Sequence, residues 1–270
     1  MPELPEVETT RRGITPYIDG RQIHKVVVRQ RRLRWPIFAG LEKVLTGQRI
    51  RRVERRAKYL LLNLDQGTLI IHLGMSGSLR LVPVDSEAEP HDHFDLVFRD
   101  TILRLRDPRR FGAVLWTRKP PQQHPLLRHL GPEPLADEFN GDLLYRRSRG
   151  RRTAVKSLLM DGKVVVGVGN IYANESLFLA GIHPGRPCNR ISKGRYHALV
   201  KTVKQVLREA IRQGGTTLRD FRQGDGQPGY FAQQLLVYGK EGQPCPRCGQ
   251  PLKQRRIGQR SSFFCSRCQR

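Results

Sequence analysis

Short apolar runs separated by Gly, Asp and Pro dominate the first half of the chain. They are rich in β-branched residues or alternate apolar with polar positions, as the strands of a half-buried sheet do. Several short strands at this spacing predict an antiparallel sandwich or barrel. The predicted strands are residues 23–28, 59–64, 69–73, 94–98, 102–105 and 113–116.

A helical period replaces this pattern at the N-terminus and in the second half of the chain. Residues 5–18 are amphipathic, and we expect the Gly13 and Pro16 region to end that helix. Residues 171–179 are apolar at helical spacing. Ser192 is a suitable N-cap for the strongest pattern, a long apolar stripe that a Gly-Gly pair closes. The chain therefore predicts an α+β multidomain protein.

Proline and glycine clusters mark the expected domain borders. Pro120-Pro121 and the Gly-Pro-Glu-Pro segment 131–134 follow the last predicted strand. The Gly-rich segment 216–231 is long enough to be a functional loop rather than a connector. We predict a β-sandwich domain with an N-terminal helix at 2–134, a basic linker at 135–152, a helical domain at 153–234 and a small C-terminal unit at 235–270.

The charge of the chain indicates its partner. Forty-nine Lys and Arg against 24 Asp and Glu give a net charge of +25, and a surplus of this size favours a polyanion, with nucleic acid as the first candidate. The sequence shows no apolar signal segment at its start and no apolar run of membrane length. We therefore expect a cytosolic protein that does not bind membranes.

Four of the five cysteines form two C-x2-C pairs with sixteen residues between them. This spacing predicts a structural zinc site of four thiolates, whereas a redox role needs only one pair. The predicted ligands are Cys245, Cys248, Cys265 and Cys268. Cys188 is left over, and we expect it to be a small buried apolar residue.

The first residues offer an unusual nucleophile. Removal of Met1 would leave Pro2 with a free secondary amine, which is partly neutral at physiological pH. Glu3 is a candidate acid or base beside it, and Glu6 lies on the same helical face. The simpler interpretation is a helix start, in which Pro5 and the acidic residues complement the helix dipole.

Several loop residues have both a structural and a functional interpretation. Lys58 begins a predicted strand and could be one surface charge among many. His91 belongs to a His-Asp-His run that fits a metal pair, phosphate contacts or a loop hydrogen bond. Met75, Arg109 and Phe111 lie in turns. Met and Phe in turns usually belong to the edge of the core, but in a DNA enzyme they could act as wedges between bases.

Two further segments could contact phosphates. Gly167-Val-Gly-Asn170 precedes a predicted helix, whose exposed N–H groups suit an anion, although a simple turn explains it equally. The basic run 146–152, which includes Arg151, is either a solvated linker or one wall of a DNA-binding cleft.

Motifs along the whole chain resemble the formamidopyrimidine-DNA glycosylase family. They are PELPEVE, RRAKYLLL, IIHLGMSG, HDHFD, DPRRFG, VVGVGNIYANE, QGGTT, PGYF and the four-cysteine unit, and they extend from residue 2 to residue 268. The sister branch of endonuclease VIII type resembles the chain less. That branch typically has Gly at the position of Leu4, and it lacks the residues found here as Met75, Arg109 and Phe111.

The resemblance implies a fold and an activity. The fold is a β-sandwich with an N-terminal helix, followed by a helix–two-turns–helix domain and a zinc hairpin, with DNA in the cleft between the domains. The activity is that of a monomeric, bifunctional glycosylase and AP lyase. Its substrate is duplex DNA that contains an oxidised purine or an abasic site.

The resemblance also implies catalytic roles. Pro2 attacks C1′, Glu3 supplies the proton that opens the sugar ring, Lys58 acts in the first elimination and Arg260 in the second. A guanidinium is a poor acid at neutral pH, so we expect Arg260 to clamp the leaving phosphate. Glu6 is expected to order the pocket.

The remaining implied roles concern the DNA. Met75, Arg109 and Phe111 fill the space of the extruded base, with Arg109 facing the orphaned cytosine. Asn170, His91 and Arg151 contact the backbone. Lys156 approaches the extruded purine, and the loop 216–231 closes over it. The alternatives are a sister-branch enzyme for oxidised pyrimidines and a non-catalytic zinc-ribbon protein that binds DNA or RNA.

Overall fold

The computed structural model describes residues 2–214 and 235–270. Those in the ranges 2–128 and 129–213 with 235–270 form two compact units. The predicted loop 216–231 lies outside the described residues. Among the described residues, none of the helices combines the length and the apolar character that a bilayer crossing requires.

The first unit contains two antiparallel sheets of four strands. One has the order β1-β6-β7-β5 and the other the order β2-β3-β4-β8. Both sheets and the N-terminal helix contribute to one apolar core, which includes Ile14, Leu60 and Phe94. The elements are α1 (Leu4–Ile18), β1 (Lys25–Val28), α2 (Leu41–Leu45), β2 (Ile50–Arg56), β3 (Tyr59–Leu64), β4 (Gly67–His72), β5 (Ser78–Pro83), β6 (Asp92–Val97), β7 (Thr101–Arg106) and β8 (Ala113–Thr117).

The six predicted strands are confirmed, and β2 and β5 are additional. Strand β2 reads IRRVERR, so only Ile50 and Val53 carry its apolar pattern, and both are buried. Its pairing with β3 forms this strand in spite of its charge. The predicted helix 5–18 is confirmed as α1, with Gly13 and Pro16 inside its last turns. The helix continues to Ile18, which is fully buried.

The second unit is helical and carries one small hairpin. Ser192 caps the longest helix as predicted, because its side chain accepts a hydrogen bond from the Arg195 amide. Cys188 is buried, as expected. The elements are α3 (Gly141–Ser148), α4 (Val155–Leu159), α5 (Asn170–Leu179), α6 (Lys193–Arg212), β9 (Lys253–Ile257) and β10 (Arg260–Phe264).

The segment predicted as a linker, 135–152, contains helix α3. Leu144 of this helix is fully buried in the core of the second unit, where α3 packs against α6. The cause is the apolar pair Leu143-Leu144, which lies just before the basic run 146–152 and is obscured by its charges. The other predicted domain borders stay predictions.

Candidate active site and nucleic-acid interface

Glu3 is held by the first turn of the helix that follows it. Its side chain accepts a hydrogen bond from the Glu6 amide, and the Glu6 carboxylate accepts one from the Glu3 amide at 2.8 Å. Both side chains are only 1% exposed. This capping box places a buried carboxylate at the positive end of α1, directly after Pro2. The simple helix-start interpretation and the functional one therefore describe the same geometry.

Lys58 lies in a two-residue turn between β2 and β3. Ala57, the other residue of the turn, has a φ of 54°, and Arg56 pairs with Tyr59 across the hairpin. Arg55 donates to the Ala57 carbonyl at 2.7 Å and to the carboxylate of Glu8 on α1 at 3.1 Å. The ion pair therefore attaches the Lys58 turn to the helix that begins after Pro2.

Glu8 is ionised over a wide pH range. Burial alone would raise its pKa, but hydrogen bonds from Arg11 and Arg12, with the charges of Arg11 and Arg55, lower it to about 2. The sequence offered no signal for this role, because Glu8 appears there as one more acidic residue of the first helix. The contact with Arg55 depends on the tertiary pairing of α1 with β2.

His72 is a site residue that sequence reasoning missed. It precedes the Met75 turn, and its ring packs at a tilt against Tyr59 with centroids 4.8 Å apart. Its Nδ1 accepts a hydrogen bond from the Gly74 amide. Burial and the charges of Lys58 and Arg34 lower its pKa to about 4. His72 is therefore neutral at pH 7, beside two cations. The IIHLGMSG motif contained it, but a lone His gave no separate signal.

The turns that carry Met75 and Phe111 are packed backbone against backbone. A Cβ atom on Gly74 would lie 2.4 Å from the Phe111 carbonyl carbon and 2.5 Å from the Gly112 nitrogen. Gly74 also has a φ of +65°, so no other residue fits there without displacement. The two turns therefore form one closely packed platform, which carries both predicted residues.

Arg109 and Phe111 form a pair at the surface. The Arg109 guanidinium lies over the Phe111 ring, 4.8 Å from its centroid, and Phe111 is 43% exposed. An exposed large apolar side chain covered by a cation suits a surface that contacts bases.

Left-handed backbone occurs at the predicted site residues. Among the described residues, four other than glycine have a positive φ: Ala57, His91, Arg110 and Gln259. His91 is itself a predicted site residue, and the other three adjoin one. Ala57 precedes Lys58, Arg110 lies between Arg109 and Phe111, and Gln259 precedes Arg260. Such conformations cost of order 1–3 kcal/mol each and cluster at functional sites.

Four thiolates come together in the C-terminal unit. The Sγ atoms of Cys245, Cys248, Cys265 and Cys268 all lie within 4.8 Å of one another. Zinc–sulfur bonds of about 2.3 Å in a tetrahedron place the sulfurs roughly 3.8 Å apart, and the Cys245–Cys268 distance is 3.9 Å. This geometry fits one structural zinc ion, as the sequence predicted.

The hairpin tip presents Arg260. Gly258 and Gln259 both have positive φ values, 55° and 60°, as a two-residue type I′ turn requires. A Cβ atom on Gly258 would lie 2.9 Å from Ser157 Oγ, so the tip packs against α4. Arg260 follows this turn and is exposed.

Lys156 and Asn170 both bind the hairpin. The Lys156 ammonium donates to the Ser261 carbonyl at 2.7 Å and to Ser262 Oγ at 2.6 Å. Asn170 Nδ2 donates to the same carbonyl at 3.1 Å. Both side chains therefore fix the residue next to Arg260.

The expected approach of Lys156 to an extruded purine stays a prediction, and in the structure its ammonium donates to the hairpin. The side chain is 1% exposed, and a buried ammonium needs oxygen acceptors, which Ser261 and Ser262 provide. Arg151, by contrast, is exposed and forms a 3.3 Å ion pair with Asp161.

Helix α5 carries the zinc-binding unit through buried polar side chains. The Glu175 carboxylate accepts hydrogen bonds from the amides of Leu236, Val237 and Tyr238, at 2.8, 3.0 and 2.8 Å. Asn174 accepts one from the Phe263 amide at 2.8 Å. Burial raises the pKa of Glu175, although the three amides oppose that rise.

Three family models match successive parts of the chain. The formamidopyrimidine-DNA glycosylase N-terminal domain matches residues 1–114, the formamidopyrimidine-DNA glycosylase H2TH domain matches residues 130–222, and a zinc finger found in FPG and IleRS matches residues 242–270. A formamidopyrimidine-DNA glycosylase of Syntrophotalea carbinolica is 60% identical over the full length of both chains.

Solved structures agree with these matches. The MutM (Fpg) protein of Thermus thermophilus has a TM-score of 0.88 at 40% identity, covering 99% of this chain and 98% of that one. Wild-type Lactococcus lactis Fpg (MutM), in complex with DNA containing N7-benzyl-Fapy-dG, has a TM-score of 0.92 at 36% identity and full coverage of both chains.

Proposed function

Since the chain belongs to the formamidopyrimidine-DNA glycosylase family, we propose that it is a bifunctional DNA glycosylase and AP lyase that removes oxidised purines from duplex DNA. The proposed substrates are 8-oxoguanine, formamidopyrimidines and abasic sites. The observation that carries the proposal is the N-terminal arrangement, in which Pro2 directly precedes a buried carboxylate fixed by a capping box. We also propose that the enzyme acts as a cytoplasmic monomer.

The Pro2 nitrogen is the proposed nucleophile. After removal of Met1 it attacks C1′ of the damaged nucleotide, and the bond from C1′ to the base breaks. Glu3 takes the proton from the attached Pro2 nitrogen and donates it to the ring oxygen, so that the sugar opens and an iminium remains between C1′ and Pro2. The capping box supports this role, because it holds the Glu3 carboxyl in one orientation next to Pro2.

The iminium then drives two eliminations. It acidifies the C2′ hydrogens, and loss of one of them expels the 3′ phosphate; a second elimination expels the 5′ phosphate. Lys58 supplies the proton for the first departure. Arg260 clamps the phosphate in the second, because a guanidinium retains its protons at neutral pH. Hydrolysis of the iminium restores Pro2.

Extrusion of the damaged base precedes this chemistry, since C1′ is shielded inside the stack. Met75 and the stacked Arg109–Phe111 pair are the proposed fillers of the vacated space, with Arg109 facing the orphaned cytosine. Their shared platform supports this role, because a wedge must resist the return of the base.

The second unit supplies DNA contacts without base recognition. Asn170, Arg151 and Arg260 are proposed phosphate ligands, together with His91 of the first unit. Zinc is structural, because four thiolates occupy all of its tetrahedral positions. The ion takes no part in the chemistry.

Borohydride trapping on a duplex with one 8-oxoguanine opposite cytosine tests the proposal. We expect a covalent adduct with the native protein and its loss with Pro2→Gly. Thr9→Ser, on the same helix, is the matched control and should trap normally. An adduct only on an oxidised pyrimidine would assign the enzyme to the endonuclease VIII branch. Absence of any adduct, with Met1 shown by mass spectrometry to be removed, would contradict an enzymatic role.

A further inference from the structure

Asp107 is a buried carboxylate that takes no part in the proposed chemistry. It follows β7 and is 0% exposed. Its Oδ2 accepts a hydrogen bond from the Gly112 amide at 2.7 Å, and its Oδ1 accepts one from the Ser76 hydroxyl at 3.1 Å. One carboxylate therefore joins the turn that carries Phe111 to the turn that carries Met75.

The backbone of Asp107 binds a third loop. Its amide donates to the His91 carbonyl at 3.0 Å, and its own carbonyl lies 2.9 Å from His93 Nε2. The same carbonyl accepts from the Arg110 amide at 3.1 Å. A carbonyl oxygen only accepts hydrogen bonds, so His93 Nε2 must carry the hydrogen that faces it.

Two of the residues with left-handed backbone are hydrogen-bonded to the backbone of Asp107. His91 has a φ of 75° and Arg110 a φ of 55°, and each shares a backbone hydrogen bond with Asp107. Unfavourable backbone conformations persist only where the surroundings enforce them. Asp107 is therefore part of what keeps His91 and the Arg109–Phe111 segment in their observed conformations.

The carboxylate lies so close to Gly112 that no side chain fits at that position. A Cβ atom on Gly112 would lie 2.9 Å from Asp107 Oδ2 and 2.8 Å from the His72 carbonyl oxygen. Without the carboxylate, the Gly112 amide and the Ser76 hydroxyl would lose their acceptor in a buried place. Both turns would then shift relative to each other.

We propose that Asp107 is a positioning residue for base extrusion, which fixes the loops of Met75, His91 and Arg109–Phe111 in one arrangement. This inference rests on the proposed function, in which Met75, Arg109 and Phe111 fill the space of the extruded base. Asp107 acts on the step that opens the base stack and leaves the eliminations at an existing abasic site almost unchanged.

Two substitutions test the role. Asp107→Ala should lower single-turnover excision of 8-oxoguanine by about 10–100-fold, because small misplacements in a site cost rates of that order. Cleavage of a ready-made abasic site, with enzyme in excess, should change by less than about threefold, since that site has no base to extrude. Asp107→Asn should restore most of the excision, because its oxygen accepts from Gly112 and its amide donates to Ser76 Oγ.

A fluorescent base distinguishes positioning from a general loss of stability. With 2-aminopurine beside the lesion, the native enzyme should raise the fluorescence on binding, and Asp107→Ala should slow that rise. Asp95→Asn is the matched control: Asp95 on β6 is also buried and pairs with Arg104 on the adjacent strand β7. It should lower thermal stability and reduce both activities in parallel.

The outcomes separate this inference from the proposed function. If the native enzyme does not excise 8-oxoguanine, the proposed function fails. If the native enzyme excises it and Asp107→Ala reduces excision and abasic-site cleavage in the same proportion, the positioning role is contradicted. If Asp107→Asn is as impaired as Asp107→Ala in a folded protein, the hydrogen-bonding account is contradicted as well.

Discussion

The two units hold their candidate site residues by different means. In the first unit, Glu3 is held by the capping box at the start of α1, and Gly74 packs against the backbone of the Phe111 turn. In the second unit, Arg260 stands on a hairpin held by the side chains of Lys156 and Asn170, while Glu175 and four thiolates hold the unit that contains it.

The difference indicates how each region should fail. In a region held by backbone packing and a sheet core, many contacts contribute to the free energy of unfolding. Each substitution there should therefore remove only a part of it. In a region held by a metal site and a few buried polar side chains, the loss of one such group leaves buried charges or donors unpaired. A single substitution there should therefore be enough to unfold the region. The predictions below test this contrast.

Zinc removal should have the largest effect, and it should be confined to the second unit. Structural zinc contributes about 10–16 kcal/mol of apparent binding free energy in small zinc domains, which the residues 244–270 cannot replace from a core of a few side chains. A chelator, or Cys265→Ser, should expose the cysteines to alkylation and abolish DNA binding. The calorimetric transition of the first unit should stay at its temperature; its loss would contradict the contrast.

Glu175→Gln should be the next most damaging change. In the native protein three backbone amides donate to the Glu175 carboxylate. Glutamine replaces one of its oxygens by an NH2 group, which is a donor and faces these donors. We expect a loss of about 3 kcal/mol in the free energy of unfolding of the second unit, measured by urea titration. The control is Glu209→Gln on the exposed face of α6, which should leave the midpoint nearly unchanged; equal effects would show that burial of the carboxylate does not matter.

Glu8→Gln should give a smaller, pH-dependent loss in the first unit. The folded pKa of Glu8 is about 2, below its ordinary 4.5, so its stabilisation is complete above about pH 5 and disappears as the pH falls towards 2. The variant should lose roughly 2–3 kcal/mol at pH 7. This difference should shrink on acidification; a constant difference from pH 7 to pH 3 would rule out the ion pairs as its cause.

Arg260→Lys should have the smallest effect. Lysine keeps the charge but loses the two-pronged geometry of the guanidinium, so a clamp should weaken and the second elimination should slow by about tenfold. Product analysis on gels measures the ratio of the two elimination products. An unchanged or faster second elimination in Arg260→Lys would instead support proton donation, because an ammonium is the better acid.

The sequence predicted the elements whose patterns are local. Strand β3 and the cap of α6 were predicted at their observed positions, since an apolar run and a Ser N-cap need no distant partner. Strand β2 was missed because its charged residues follow no strand pattern, and only the pairing with β3 defines it. The end of α1 at residue 18 was predicted, and burial of Ile18 keeps the helix intact past Pro16.

The same limit applies to the site. The cysteine spacing predicted the zinc ligands by itself, whereas the roles predicted for Pro2 and Lys58 depend on the resemblance to a known family. The supporting residues Arg55, His72 and Asp107 are ordinary in type, and each acquires its role from a contact between separate segments. The contact of Lys156 with the Ser261 carbonyl is of the same kind, because it joins α4 to the hairpin and has no local signal.

Peptide mapping of the borohydride-trapped complex tests the central claim most directly. After digestion of the adduct formed on an 8-oxoguanine duplex, the account predicts that the sugar remnant is attached to the N-terminal nitrogen of the peptide that begins at Pro2. Attachment to Lys58, Lys156 or any other lysine, with Pro2 unmodified, would contradict the claim that the N-terminal amine is the nucleophile.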